Sequence, residues 1–165
     1  MKKAEFYAEL KRDMSSLIAG ETHFIATLAN VSALLYERLE GLNWAGFYLI
    51  DGKELVLGPF QGKIACVRIP IGKGVCGTAV AENRVQRVAD VHAFPGHIAC
   101  DAASNAEIVL PIAVKGEIIG VLDIDSIVYD RFDEDDELGL TSVVARLCEH
   151  LELCDSAKYV TQTAS

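Results

Sequence analysis

The feature that most constrains this chain is a pair of apolar runs at residues 106–126, AEIVLPIAVKGEIIGVLDIDS. Both runs are rich in Ile, Val and Leu, and only the short polar segment KGE separates them. β-Branched residues on either side of a tight turn predict an antiparallel β-hairpin. We therefore interpret the rest of the chain as further strands beside this hairpin and helices against it.

Helical and strand patterns surround the hairpin in a definite order. Helices are predicted over 2–19 and 20–39, the second ending at Gly41, and over 132–154. In the last helix Leu138, Val143, Val144, Leu147 and Leu151 fall on one side. The other predicted elements are strands at 44–51, 54–60, 64–71 and 86–90, a short helix at 75–83 and a loop at 91–105. This order predicts a single α+β domain over residues 1–165, with a central, mostly antiparallel sheet flanked by helices.

Charge and hydropathy exclude several classes of partner. The net charge of −9 argues against nucleic acid and against an anionic membrane surface, because both attract clustered Lys and Arg. Hydrophobic residues make up 51% of the chain, yet no run approaches the roughly 20 apolar residues of a membrane helix. Glu5 and Glu9 interrupt the first ten residues, which argues against a secretory signal, so we expect a cytoplasmic protein. The acidic net charge favours a small, cationic or zwitterionic ligand.

The cysteines argue against a structural zinc site. They number five, an odd count, and no CxxC or Cys/His cluster has the spacing of a zinc site. In a reducing cytosol, any disulfide is expected to be transient and either catalytic or redox-sensing. The five residues are Cys66, Cys76, Cys100, Cys148 and Cys154.

From the residues alone, Cys76 is the best candidate for a reactive thiol. It lies near the predicted N-terminus of the helix at 75–83, where the helix dipole and Lys73 would lower its pKa. Cys100 is a weaker candidate on this reasoning, because the neighbouring Asp101 should raise its pKa. Cys66 lies in the predicted strand at 64–71, and for it a structural role and a reactive role are about equally favoured.

The hairpin also carries a group of acidic residues. Asp123 and Asp125 are two residues apart on a strand and therefore point to the same face, with Glu107 at the start of the neighbouring strand. Several carboxyl groups in a partly desolvated pocket raise the pKa of at least one of them. A protonated member could donate to a departing oxygen, and an ionised member could bind an ammonium group.

Three stretches give the chain a family resemblance: IPIGKGVCGTAVAENRVQRVADV, AEIVLPIAVKGEIIGVLDIDS and RFDEDDELGLTSVVARL. They resemble GAF domains, in which helices pack on one face of a sheet and loops cover a ligand pocket on the other. Over almost its whole length the chain is similar to the free methionine-(R)-sulfoxide reductases, which are stand-alone GAF enzymes. The residues that narrow the resemblance to this family are Cys66, Cys76, Cys100, Trp44, Glu107, Asp123 and Asp125.

The resemblance implies reduction of free methionine (R)-sulfoxide, with thioredoxin as the reductant and with no metal, flavin or nicotinamide bound to the chain. It implies that Cys100 is the nucleophile and that Cys66 and Cys76 supply resolving thiols, with the order of the two left open. A second thiol is needed because the attacked enzyme holds a sulfenic acid that must condense to a disulfide. By the same resemblance Trp44 and Tyr48 line the methyl-sulfoxide end of the pocket. Glu107, Asp123 and Asp125 hold the oxygen and amino group, and a homodimer is possible.

Other interpretations remain open at this point. The main alternative is a non-catalytic GAF sensor of a cyclic nucleotide or another small molecule, and a thiol-based redox sensor is a third. Cys148 and Cys154 are interpreted as structural, because free cysteines are usually buried as small hydrophobic residues. His92 and His97 are left out of the site, since loop histidines are more often surface residues.

Overall fold

The structure is a computed structural model that describes residues 1–100 and 102–162. The effect predicted for Asp101 therefore lies outside the described residues. The helices are α1 (Lys3–Ile18), α2 (Phe24–Arg38), α3 (Gly74–Glu82) and α4 (Glu134–Leu151). The strands are β1 (Leu42–Asp51), β2 (Glu54–Gly62), β3 (Arg68–Pro70), β4 (Gln86–Val88), β5 (Ala106–Val114) and β6 (Glu117–Ser126). The predicted order of helices and strands is confirmed, and no described helix is long and apolar enough to cross a membrane.

The strands form one sheet in the order β3-β2-β1-β6-β5-β4, and all neighbouring strands are antiparallel. The predicted hairpin lies near its centre, with Ala106 opposite Ser126 and Val114 opposite Glu117. Its two turn residues, Lys115 and Gly116, have positive φ angles of 53° and 81°. That conformation matches the twist of paired strands, so KGE closes a tight hairpin as predicted.

The sheet separates two apolar layers. On one face, α1, α2 and α4 pack over a large buried cluster that includes Phe47, Ile108 and Leu122. On the other face, a smaller cluster joins the strands to α3 and the loops. Strand β1 supplies both layers, because alternate side chains of a strand point to opposite faces. The fold therefore keeps one face for stability and leaves the other for a pocket.

Polar contacts join the two terminal helices. Asp133 and Asp136 form a capping box at the start of α4, each accepting a backbone N–H of the other. Asp136 also accepts hydrogen bonds from Tyr7 and Lys3 of α1, at 2.7 Å each. The acidic start of α4 thereby holds α1 against it. Leu138 departs from the prediction: it is 70% exposed, because its position turns away from the face buried by Leu140 and Leu147.

The predicted strand at 64–71 is too long. Only Arg68–Pro70 pairs with β2, and residues 63–67 form a loop, here called the Cys66 loop. Cys66 therefore does not lie in a strand, and that prediction was wrong. The physical reason is that side chains of β1 bind two carbonyl groups of this loop, which the sheet would otherwise pair.

Candidate active site

A cavity opens on the face of the sheet opposite α1, α2 and α4. It lies between β1, β5, β6, the start of α3 and the Cys66 loop, and residues His97, Ile98, Cys100 and Ser104 also line it. Seven of the eight predicted site residues line it, namely Trp44, Tyr48, Cys76, Cys100, Glu107, Asp123 and Asp125. The eighth, Cys66, is bonded to one of them. Residues far apart in sequence are thus gathered around one hollow.

Cys66 and Cys100 form a disulfide, with their Cα atoms 5.3 Å apart. This separation is within the usual range for such bonds. The bond joins two loops rather than two strands, since Cys66 belongs to the Cys66 loop and Cys100 to the segment before β5. Cys76 is the remaining cavity thiol and is free and buried. The three predicted cysteines therefore lie at one place, with two of them bonded.

Trp44 and Tyr48 do more than line the cavity, because both hold the Cys66 loop. The Trp44 indole Nε1 donates to the carbonyl oxygen of Lys63 at 3.1 Å. The Tyr48 hydroxyl donates to the carbonyl oxygen of Cys66 at 2.8 Å. Their rings stack with centroids 5.8 Å apart, so both anchors are themselves fixed by packing. These two bonds determine where the Cys66 sulfur lies.

The acidic residues meet on the floor of the cavity. Glu107 lies directly opposite Asp125 in the β5–β6 pairing, and Asp123 lies opposite Val109. Glu107 and Asp123 are buried, with 7% and 5% of their surfaces exposed, whereas Asp125 is half-buried. Strand geometry alone brings the three together, because all point to the face away from Leu122 and Ile124.

Burial sets the protonation of this group. It raises the pKa of Glu107 well above its ordinary value, and the negative charges of Asp123 and Asp125 raise it further. Burial also raises the pKa of Asp123, although hydrogen bonds from Glu107, Asp125 and Cys76 oppose the change. The prediction that crowding raises the pKa of at least one carboxyl group is confirmed. A buried carboxylic acid at neutral pH is a proton donor in the right place for acid catalysis.

The expectation of an acidic Cys76 thiol was wrong. Cys76 lies in the first turn of α3, as predicted, but its pKa is raised well above the ordinary value. The main cause is burial, followed by the charges of Asp123 and Glu107. The Cys76 sulfur lies 4.0 Å from Glu107 Oε2. Desolvation and two nearby carboxyl groups outweigh the helix dipole here, so Cys76 is a poor source of thiolate.

Further residues line the cavity, among them His97, which sequence reasoning left out of the site, and Ser104, which it did not consider. The Ser104 hydroxyl accepts a hydrogen bond from the Asn43 amide at 2.9 Å. Burial and the nearby His92 lower the pKa of His97. The three-residue spacing from His97 to Cys100 was a usable signal, whereas Ser104 gave none. Cys148 and Cys154 pack against the helix-side layer, as their structural interpretation required.

A six-stranded antiparallel sheet, with helices on one face and a loop-covered pocket on the other, defines the architecture as that of a GAF domain. The GAF domain family model matches residues 23–150. The chain is 66% identical over 164 residues to the free methionine-R-sulfoxide reductase of Escherichia coli (strain K12), covering 99% of each.

Two solved structures agree with this assignment. The fRMsr of Staphylococcus aureus in complex with substrate has 57% identity and a TM-score of 0.84, covering 88% of this chain and 95% of its own. The free methionine-R-sulfoxide reductase of Neisseria meningitidis in complex with its substrate has 46% identity and a TM-score of 0.89. The match covers 97% of this chain and 95% of the Neisseria chain. The chain belongs to the free methionine-R-sulfoxide reductase family of GAF-domain proteins.

Proposed function

We propose that this chain is an oxidoreductase that reduces free methionine (R)-sulfoxide to methionine by a thiol cycle. One observation carries the proposal beyond family membership: the Cys66–Cys100 disulfide borders a cavity whose floor carries three acidic side chains. A sulfoxide reduction requires a thiol, a second thiol and a proton donor, and this cavity holds all three.

In the first step the Cys100 thiolate attacks the sulfoxide. The sulfur of the substrate is reduced to a thioether, its oxygen passes to Cys100, and Cys100 becomes a sulfenic acid. The proton required by the oxygen comes from the buried acidic group, in which burial raises the pKa of Glu107 well above its ordinary value. Protonation of the substrate oxygen makes the sulfoxide sulfur easier for the thiolate to attack.

In the second step the Cys66 thiol condenses with this sulfenic acid. A disulfide forms, and the oxygen leaves as water. Cys66 is favoured over Cys76 as the resolving residue, because the disulfide joins Cys66 to Cys100 while Cys76 stays buried against Glu107. The anchors from Trp44 and Tyr48 keep Cys66 at the required distance.

A dithiol protein of the thioredoxin class then reduces the disulfide to two thiols and is itself oxidised. The Cys66 loop suits such a partner, since Ile64 and Val67 flank Cys66 and are 91% and 60% exposed. Isolated exposed apolar residues are common, but two beside a reducible disulfide offer a contact surface for a partner that must reach the sulfur. The proposed setting is the cytoplasm, where thioredoxin keeps thiols reduced.

Selection for the free amino acid follows from charge. An ionised member of the acidic group, with Asp125 the least buried, binds the substrate ammonium. A methionine sulfoxide within a peptide has an amide nitrogen at that place and brings no positive charge. Burying an unpaired carboxylate is costly, so the peptide-bound residue binds much more weakly.

A coupled assay tests the proposal. The protein is mixed with R or S free methionine sulfoxide, thioredoxin, thioredoxin reductase and NADPH. We expect NADPH consumption and an equal amount of methionine with the R epimer alone. Cys100→Ser should abolish both, whereas Cys148→Ser, on the far side of the sheet, should retain them. Binding of a ligand with no consumption of NADPH would instead support the sensor interpretation.

A further inference from the structure

We propose that Cys76, Glu107 and Asp123 form a binding site for a thiophilic divalent cation, with Zn²⁺ as the best-matched ion. One thiol sulfur and one carboxyl oxygen from each acidic residue all lie within 4.8 Å of one another. All three residues are buried, and they come from α3, β5 and β6. No local sequence spacing reveals this set, because its members lie on three separate elements.

The geometry needs little adjustment to hold the ion. Zinc binds sulfur at about 2.3 Å and carboxylate oxygen at about 2.1 Å, so two such ligands on a tetrahedral ion lie about 3.6 Å apart. The sulfur of Cys76 and Oε2 of Glu107 are 4.0 Å apart. Small side-chain rotations bring the two atoms to the required separation, while helix and strands keep their backbones in place.

A second observation points to a missing positive partner. Asp123 is only 5% exposed, and its Oδ1 is buried with no hydrogen-bond partner within the described residues. The hydrogen bonds that Asp123 accepts therefore involve its other oxygen. A buried carboxylate oxygen without a partner loses its hydration and gains nothing in return, which is unfavourable. Asp123 faces the cavity, so a cation there would satisfy this oxygen and neutralise the neighbouring carboxylates.

The ligand set selects the kind of ion. Mg²⁺ and Ca²⁺ prefer six or more oxygen ligands, whereas a thiolate with two carboxylates suits Zn²⁺ and leaves a fourth position open. Because Cys76 and Glu107 are protonated without the ion, Zn²⁺ displaces their protons to solvent when it binds, and binding tightens as the pH rises. The open fourth position faces the cavity, which Cys100 also lines. In the reduced protein the Cys100 thiol is therefore available as a fourth ligand. We expect reduced protein to bind Zn²⁺ more tightly than protein with the Cys66–Cys100 bond.

Occupancy of this site excludes the substrate. The same carboxyl groups are assigned above to the sulfoxide oxygen and the ammonium, so Zn²⁺ and methionine sulfoxide compete. The competition between Zn²⁺ and methionine sulfoxide rests on the proposed function, whereas the binding of the ion does not. Zinc would thus act as a reversible inhibitor that holds the enzyme in its reduced, substrate-free form.

Binding is measured without substrate, so it is judged independently of the activity. Reduced and oxidised protein are titrated with Zn²⁺ against a chromogenic chelator, and with Co²⁺ followed by its thiolate charge-transfer absorption. We expect one ion per chain, tighter in the reduced form. In the oxidised protein the free thiols are Cys76, Cys148 and Cys154, so a charge-transfer band there arises from one of these.

Variants identify the thiol that gives the charge-transfer band. Cys76→Ser and Asp123→Asn should each weaken binding by about 100-fold or more, since even loss of a group supporting a ligand costs about 10- to 100-fold. The matched controls Cys148→Ser and Cys154→Ser should bind as the parent does. Thermal melting with a chelator present checks that each variant folds. If Cys76→Ser does not fold, the binding measured for Asp123→Asn decides between the outcomes. In the oxidised protein, loss of the band in either control, or its survival in Cys76→Ser, would overturn the proposal, as would absence of stoichiometric binding in the parent.

Discussion

Replacing Tyr48 by Phe tests the idea that a hydrogen bond positions the resolving thiol. The change removes one oxygen, the donor to the Cys66 carbonyl at 2.8 Å, and leaves the ring in its stack with Trp44. The cavity therefore keeps its apolar wall. What is lost is the bond that holds the Cys66 loop over Cys100.

The size of the effect follows from the strength of one neutral hydrogen bond. Such a bond contributes about 0.5–1.5 kcal/mol net. Since about 1.4 kcal/mol corresponds to a factor of ten, the fraction of molecules with Cys66 in position should fall about two- to tenfold. The rate of disulfide formation should fall by the same factor. The rate of methionine release in the first turnover should not change, because it precedes the resolving step.

The assay is a single turnover of the reduced protein with one equivalent of methionine (R)-sulfoxide. Samples are quenched in acid at intervals, methionine is measured by chromatography, and free thiols are alkylated and counted by mass spectrometry. Tyr36→Phe, on α2 behind the sheet, is the matched control and should behave as the parent. A Tyr48→Phe protein that forms its disulfide at the parent rate would refute the positioning argument. Slower methionine release would place Tyr48 in the chemical step instead.

Three further predictions concern the acidic group, the partner surface and the resolving thiol. Glu107→Gln should be more stable than the parent by a margin that grows from pH 5 to pH 8, measured by thermal melting with a chelator present. The raised pKa keeps Glu107 protonated in the folded chain while it ionises in the unfolded chain above its ordinary pKa of 4.5, and a margin independent of pH would contradict this. Val67→Ser should raise the KM for thioredoxin about three- to tenfold and leave turnover with dithiothreitol unchanged. The control is Leu138→Ser, which should alter neither, because Leu138 is similarly exposed but lies on α4. Cys66→Ser should release methionine once and accumulate a dimedone-reactive sulfenic acid on Cys100, and repeated turnover would show that another thiol resolves it.

Local patterns predicted most of the fold. The hairpin at 106–126 was readable because its strand residues and its turn are adjacent in sequence, and the same holds for the acidic start of α4. The placement of Asp123 beside Glu107 followed from strand alternation and hairpin register together. These features need no knowledge of distant parts of the chain.

The errors arose where a distant element decides the outcome. Strand β3 is short because Trp44 and Tyr48, some 20 residues earlier, bind carbonyl groups of the Cys66 loop. The pKa of Cys76 rises rather than falls because packing buries the thiol and because β5 and β6 place two carboxyl groups beside it. Helix position was visible in the sequence, but burial and charge at that position depended on tertiary packing.

The placement of the disulfide between two loops affects how the protein tolerates its own chemistry. Each proposed turnover makes and breaks one covalent bond, and both partners of that bond lie outside the paired strands. Neither cysteine contributes to the ladder hydrogen bonds or to the large apolar layer under α1, α2 and α4, so breaking the bond leaves both without a lost contact. The chain can therefore alternate between two covalent states without breaking strand pairing, and the disulfide state should be the more resistant to heat, because a bond between residues 34 apart restricts the unfolded chain.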